Sequence, residues 1–202
     1  MNYLKYVFMM FSKYISAFFL LFIFSVGQSQ TQYKAVPNDE NSILVEGTSN
    51  IHDWEIQVEN FNSEIDLSLK EGIPKSINTF TISIPVKSFN SGKNSMDKNT
   101  YKAMEADTYT KISFTSSTKA LLNEKSNGVY KAIMKGKLSI AGTTKDLEIP
   151  IELHKTSKGY ALKSEQNLNM IDFGIEPPTA LFGTITTGEE VNTIFNLTYY
   201  KQ

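Results

Sequence analysis

The sequence predicts an all-β protein in which about eight antiparallel strands close into an extended barrel, accompanied by one short helix. Two observations lead to this fold class. Apolar and polar residues alternate with a period of two in one segment after another, and short turn signals separate the segments. Strands that follow one another without intervening helices form a sandwich or a barrel. Several segments reach ten residues or more, which favours a tall barrel over a sandwich.

The first alternating segment follows the stretch Gly47-Thr48-Ser49-Asn50-Ile51-His52-Asp53-Trp54, where we expect an antiparallel strand to begin. Each segment has one apolar and one polar set of residues, so one face of each strand should be buried. The apolar sets are Trp54, Ile56 and Val58; Ile65, Leu67 and Leu69; Phe80, Ile82, Ile84 and Val86; Tyr130, Ala132, Met134, Gly136, Leu138 and Ile140; Leu147, Ile149, Ile151 and Leu153; and Val191, Thr193, Phe195, Leu197 and Tyr199.

Turn residues between these segments predict short hairpins. Asn127-Gly128 supplies the positive φ that a tight hairpin requires, and residues 141–145 and 158–159 are further turn signals. Proline cannot donate a main-chain hydrogen bond. We therefore expect Pro85 and Pro150 at an edge, at a bulge or at the start of a strand.

One segment departs from the strand period. Residues 95–106 are rich in helix formers and carry Asp97 near their start. At helical spacing one stripe collects Met96, Thr100, Ala103 and Met104. We predict a short amphipathic helix that caps the sheet.

Residues 1–30 predict a secretory signal peptide. Lys5 and Lys13 flank a short apolar stretch, residues 14–26 carry no charge, and small residues follow them. An uncleaved anchor is the alternative, but this apolar run is shorter than the roughly 20 residues that span a bilayer. We expect cleavage near residues 27–31, no stable membrane span afterwards, and one domain in residues 31–202. The chain has no cysteine, which suits a bacterial protein that is periplasmic or secreted.

Composition and charge exclude several classes of function. The net charge is −1, or about −3 without Lys5 and Lys13, so no basic surface for nucleic acid is expected. All 20 basic residues are lysines, which removes the bidentate guanidinium contacts common in nucleotide enzymes. With two histidines and no cysteine, no catalytic triad, dyad or metal cluster can be assembled. We therefore expect a protein that is not an enzyme and has no cofactor.

Four motifs, taken in order, resemble the YceI-like family. They are the stretch 47–54; the helical segment 95–104 leading into Lys111-Ile112-Ser113-Phe114; the strand and turn over residues 136–145; and Ile171-Asp172-Phe173-Gly174-Ile175. The resemblance implies a lipocalin-like barrel that binds a polyisoprenoid chain. Glu176-Pro177-Pro178-Thr179 has no counterpart in the family pattern, which leaves the barrel mouth and the ligand's identity open.

Taken together, the sequence predicts an exported protein that carries or sequesters a long apolar ligand, such as a polyisoprenoid, a quinone or a fatty chain. Burial alone would supply affinity, at about 25 cal/mol per Å². The expected ligand-binding residues are His52, Trp54, Ile56, Val58, Phe80, Ile82, Ile84, Phe114, Met134, Leu138, Leu168 and Asp172.

Alternatives remain for two of these residues and for the whole chain. His52 shares a face with Trp54, so it is either a structural histidine or a contact for the ligand's polar end. Asp172 either caps a turn or contacts that polar end. The chain as a whole could instead be an envelope protein with a filled barrel and no ligand, or a barrel in the outer membrane, where strands alternate in the same way.

Overall fold

A computed structural model of the protein describes residues 29–202, in which β-strands predominate. The predicted signal peptide lies outside the described residues except for its last two positions. The helix α1 spans Asn94–Ala103. The strands are β1 (Ser29–Ala35), β2 (Ser42–Ser49), β3 (Trp54–Val58), β4 (Asn62–Lys70), β5 (Ile73–Pro85), β6 (Phe89–Asn90), β7 (Lys111–Ser116), β8 (Ala120–Leu121), β9 (Asn123–Ser126), β10 (Val129–Ile140), β11 (Thr143–Lys155), β12 (Gly159–Asn169), β13 (Thr179–Ala180) and β14 (Ile185–Lys201).

These strands close into an antiparallel barrel with eight strand positions, as predicted. Around the barrel the order is β14, β1 with β2, β4 with β3, β5, β7, β10, β11 and β12, which pairs with β14 again. Two of the eight positions are each occupied by two strands. At the first position, β1 and β2 both pair with β14. At the second position, β4 pairs with β1 and β3 pairs with β2. The stretch 47–54 is therefore the end of β2, a loop and the start of β3. The sequence had indicated only the second of these strands.

Alternation turns the apolar faces inward. In β10, Tyr130, Met134 and Leu138 are buried, while the lysines between them are exposed. The barrel is packed solid at one end, where Tyr33 and Tyr160 make an edge-to-face contact with ring centroids 5.3 Å apart. The other end, near α1, is hollow.

One hydrogen-bonded pair fixes the packed end. The Tyr199 hydroxyl donates to Ser63 Oγ at 2.6 Å, and Ser63 Oγ in turn donates to the Thr81 carbonyl at 2.9 Å. Both side chains are fully buried. Burial raises the pKa of Tyr199 well above its usual value, because the phenolate would lose its hydration.

The local predictions hold with small shifts. Ala141 and Gly142, both at positive φ, form the two-residue turn between β10 and β11, and Gly128 has positive φ in the turn before β10. The helix begins one residue earlier and ends three residues earlier than predicted, because the chain turns at 104–108. Pro85 lies at the end of β5, a strand end rather than one of the expected settings, since a 3-10 turn follows it.

Candidate functional site

The hollow end of the barrel encloses a cavity of about 970 Å³. This volume lies at the upper end of the range of about 300–1,000 Å³ that small-molecule sites occupy. Inward-facing side chains of β2, β3, β5, β7, β10, β11, β12 and β14 form the wall, and α1 covers part of the mouth. On β10 the lining runs from Met134 to Ile140, which corresponds to roughly 20 Å along the strand.

All of the predicted site residues except Asp172 line this cavity. They are His52, Trp54, Ile56, Val58, Phe80, Ile82, Ile84, Phe114, Met134, Leu138 and Leu168. The structure therefore brings together residues from five strands and one loop. Their contact with a ligand stays a prediction.

Asp172 does not line the cavity. It lies in the 3-10 turn Met170–Phe173, where Phe173 rather than Asp172 points inward. Its carboxylate accepts a hydrogen bond from Lys145 Nζ at 2.7 Å on the outer surface, and its side chain is 61% exposed. Asn169 caps the turn instead, since its side chain accepts from the Ile171 amide at 2.9 Å.

Trp54 forms one wall of the mouth through an unusual contact with Gly47. The two residues face each other across β2 and β3. The indole lies directly on the glycine, so that a Cβ at position 47 would be 2.6 Å from Trp54 Cε2. The indole N–H donates to the Thr48 carbonyl at 2.9 Å. Glycine at this position thus permits the ring to lie flat against the strand.

His52 lies in the exposed loop between β2 and β3 and reaches the cavity mouth. Its Nδ1 is 2.8 Å from the Asp53 carbonyl oxygen. Because a carbonyl oxygen only accepts, Nδ1 is the donor and Nε2 is left as an acceptor. An acceptor at the rim can accept a hydrogen bond from a hydroxyl or amide group at the polar end of a ligand.

Several lining residues were not among the predicted site. Ile43 and Val45 belong to β2, a strand that the sequence analysis did not identify. Met96 and Thr100 belong to the predicted stripe of α1, which faces the cavity rather than only capping the sheet. The stripe itself was the available signal, because a helix at a barrel end must bury its apolar side somewhere.

The cavity wall carries almost no charge. Lys93 is the one lysine that lines it, and no carboxylate does so in the part of the chain that the structure describes. The polar lining residues include Ser164 and Gln166 on β12 and Thr193 on β14. Thr193 Oγ1 donates to the Gln166 carbonyl at 2.9 Å, so the Thr193 hydroxyl already has a hydrogen-bond partner within the protein.

The barrel has a lateral gap between β11 and β12. The two strands pair only from Glu152 opposite Lys163 to Lys155 opposite Tyr160, and over residues 29–202 no main-chain pairing joins them beyond Glu152. By contrast, β10 and β11 pair along their whole length. Leu147 and Ile149, beside the gap, are half-buried and line the cavity. The cavity wall is therefore interrupted on this side.

Pro150 lies where this gap begins. The Lys155 amide donates to the Gly128 carbonyl on the β10 side at 2.8 Å. Because main-chain groups alternate in direction along an antiparallel strand, Pro150 faces β12. Proline has no N–H to offer β12, and its carbonyl accepts instead from Ser164 Oγ at 2.8 Å. Pro150 thus occupies an edge position, one of the three expected settings.

A family model described as the YceI-like domain matches residues 34–199. The chain belongs to the YceI-like family. No curated protein sequence matches it.

Solved structures similar to this YceI-like barrel agree in fold. One is BcnA of Burkholderia cenocepacia, with 16% identity and a TM-score of 0.61, covering 78% of this chain and 94% of the other. A second is a polyisoprenoid binding domain from Saccharophagus degradans, implicated in plant cell wall breakdown, with 10% identity and a TM-score of 0.64, covering 84% and 98%. A third is the YCEI protein of Campylobacter jejuni, with 17% identity and a TM-score of 0.55, covering 73% and 84%.

Within the described residues, no group of three or more His, Cys, Asp or Glu side chains is arranged to hold a metal ion. None of the helices in that same part of the chain is long and apolar enough to cross a membrane.

Proposed function

We propose that this YceI-like protein is an exported, non-catalytic carrier that holds a long apolar lipid of the polyisoprenoid type inside its barrel. The observation that carries the proposal is the cavity of about 970 Å³ with an almost uncharged lining. Filling an apolar cavity with an apolar chain is favourable, and each 100 Å² of apolar surface removed from water contributes about 2.5 kcal/mol to the binding free energy. The polyisoprenoid binding domain from Saccharophagus degradans supports the choice of ligand class.

The cavity also suggests how much of the ligand it encloses. An extended chain advances roughly 1.2 Å per bond, judging from about 3.5 Å for the three bonds of one residue. The lined length of roughly 20 Å along β10 therefore accommodates about 16 bonds, or about four isoprene units in extended form. A longer polyisoprenoid would fold back or leave through the mouth or the lateral gap.

Export is part of the proposal and rests on the sequence. The predicted signal peptide of residues 1–30 supports delivery to the periplasm or the medium. A water-filled compartment is where an apolar lipid needs a protein carrier, since it cannot diffuse there freely. The filled-barrel alternative is disfavoured by the volume that side chains leave open.

The test is to identify what the protein contains. The exported protein is purified without detergent, extracted with organic solvent, and the extract is analysed by mass spectrometry. We expect a long isoprenoid, quinone or fatty chain in stoichiometric amount. Clean extracts from several preparations would count against the proposal.

A pair of variants on α1 makes the test specific to the cavity. Thr100 lines the cavity, whereas Lys98 on the same helix is exposed and does not. Thr100→Trp should fill part of the mouth and reduce the lipid content to a small fraction of the wild-type amount. Lys98→Trp adds the same ring to the outer surface and should leave the content unchanged. Equal lipid content in both variants would place the lipid elsewhere.

A further inference from the structure

A charge-free segment lies at the mouth of the cavity. Residues 177–188 contain no charged residue in a chain that is 20% charged. At its tip Leu181 is 67% exposed and Phe182 is fully exposed. Both residues also line the cavity, so the tip stands at the entrance. Exposure of large apolar side chains to water at an entrance is unfavourable unless something covers them.

The tip is held outward by specific contacts. Leu181 and Phe182 have φ of 48° and 58°, a left-handed conformation that non-glycine residues adopt only at a cost in free energy. The segment is fixed to the loop between β2 and β3, because Asn50 Nδ2 donates to the Thr184 carbonyl at 2.9 Å and the Thr186 amide donates to Asn50 Oδ1 at 3.0 Å. These contacts maintain a strained backbone that presents two apolar side chains to the solvent.

Neighbouring residues extend this surface. Ile51, beside Asn50, is 58% exposed. Lys93 lines the same mouth, and Lys102 lies exposed on α1, with no ion pair to either lysine in the described part of the chain. An apolar tip beside unpaired lysines matches the interface of an anionic bilayer, which offers acyl chains below negatively charged headgroups.

We propose that residues 177–188 dock the barrel mouth onto an anionic lipid surface, with Leu181 and Phe182 inserted among the headgroups. The cavity entrance would then open directly onto the bilayer, and an apolar ligand would pass between them without crossing water. This inference rests on the proposed function, because only a lipid cargo requires such a contact. It adds the partner, a membrane surface, and the residues that meet it.

Vesicle co-sedimentation tests the docking surface. The strands described within residues 29–202 close into the barrel by themselves, so this portion is used, and the apolar sequence before it does not contribute to vesicle binding. It is mixed with vesicles of phosphatidylethanolamine and phosphatidylglycerol. The double variant Leu181→Ser, Phe182→Ser should lower the partition coefficient about tenfold or more, as expected for two lost apolar side chains. Phe182→Trp keeps a large ring at the tip and should keep the binding.

Leu121→Ser provides the matched control. Leu121 is 69% exposed but belongs to β8, which pairs with the start of β5 at the packed end of the barrel. This control should sediment like the wild type. The proposal is overturned if the wild type does not bind the vesicles, or if the double variant binds as the wild type does. It is also overturned if sedimentation velocity shows a dimer that the double variant separates, since a second copy would then cover the tip.

The lipid content of the same proteins separates this proposal from the proposed function. Vesicle binding that depends on Leu181 and Phe182, together with extracts free of lipid, would support the docking proposal and contradict the proposed carrier function. Protein that contains lipid but does not bind vesicles would support the carrier function and contradict the docking proposal.

Discussion

Replacing Gly47 by alanine should displace the Trp54 ring and destabilise the barrel. The new Cβ would lie 2.6 Å from Trp54 Cε2 and 2.7 Å from Cη2, far inside the roughly 3.5–4.0 Å of a normal carbon contact. Neither partner can yield easily. The two residues face each other in a paired ladder, and the indole N–H is held by the Thr48 carbonyl. The ring must therefore swing away from β2.

The cost follows from two contributions. Overpacking of a closed site costs about 1–3 kcal/mol. Loss of the indole hydrogen bond adds about 0.5–1.5 kcal/mol. We therefore expect the free energy of unfolding to fall by about 2–4 kcal/mol. At about 2–4 °C per kcal/mol for a chain of this size, the midpoint of thermal unfolding should fall by roughly 5–15 °C.

The only tryptophan of the chain is Trp54, so its emission reports directly on the ring. Gly47→Ala should shift the emission to longer wavelength as the indole enters water, and circular dichroism should record the lower melting temperature. The control is a double-mutant cycle with Trp54→Leu, which lacks the atoms that clash. In that background Gly47→Ala should be neutral or slightly stabilising. An equal loss in both backgrounds would show that the ring contact is not the cause.

Three further predictions concern the gap, a buried tyrosine and a second glycine. In hydrogen exchange, the amide of Glu148, which faces the gap, should exchange more than about tenfold faster than the amide of Glu152, which faces β12 in the paired region. Burial raises the pKa of Tyr160 to about 12 from 10.0. The folded state therefore keeps a proton that the unfolded state loses. The contribution of Tyr160 to the free energy of unfolding should be constant below about pH 10 and should fall as the pH rises toward 12, so Tyr160→Phe should reduce the alkaline loss of stability in denaturant titrations. Gly136→Ala should lower the melting temperature by roughly 3–10 °C, because a Cβ there would be 2.8 Å from Phe114 Cε2 and would also press on the Thr115 carbonyl.

Each of these predictions has an outcome that contradicts it. Similar exchange rates at Glu148 and Glu152 would mean that β11 and β12 are joined along their full length. An unchanged alkaline slope in Tyr160→Phe would assign the pH dependence to other groups, and Tyr109→Phe, at an exposed tyrosine, is the matched control. A melting temperature of Gly136→Ala equal to that of the wild type would show that the Phe114 ring can move without cost.

The sequence predicted the fold and part of the cavity wall because both depend on a local signal. A two-residue period indicates which residues of a strand lie on the same face. In a closed barrel only one face of each strand points inward. Residues such as Ile82 and Met134 were therefore identified without knowledge of their neighbours. Asp172 does not follow from this rule. Its prediction rested on a carboxylate within the apolar motif 171–175, and it lies in the 3-10 turn Met170–Phe173, outside the cavity lining.

The features that the sequence could not supply depend on non-local geometry. The gap exists because β11 and β12 diverge beyond Glu152, and the register that decides this involves residues far apart in the chain. Pro150 gave a partial signal, since it indicated an edge, a bulge or a strand start, but it did not indicate which neighbouring strand would be unpaired. The outward tip at Leu181 and Phe182 requires positive φ at two residues that rarely adopt it, so no turn rule predicts it.

The low identity between this chain and the solved structures is compatible with their common fold. The solved structures share only 10–17% of their residues with this chain, yet their fold is the same. An apolar lining needs side chains of suitable volume rather than particular residues, so substitution among aliphatic residues leaves the barrel intact. Positions such as Gly47 differ, since there one residue alone fits the Trp54 ring. A barrel with an apolar lining should therefore keep its few steric pairs, while the other lining residues can change freely.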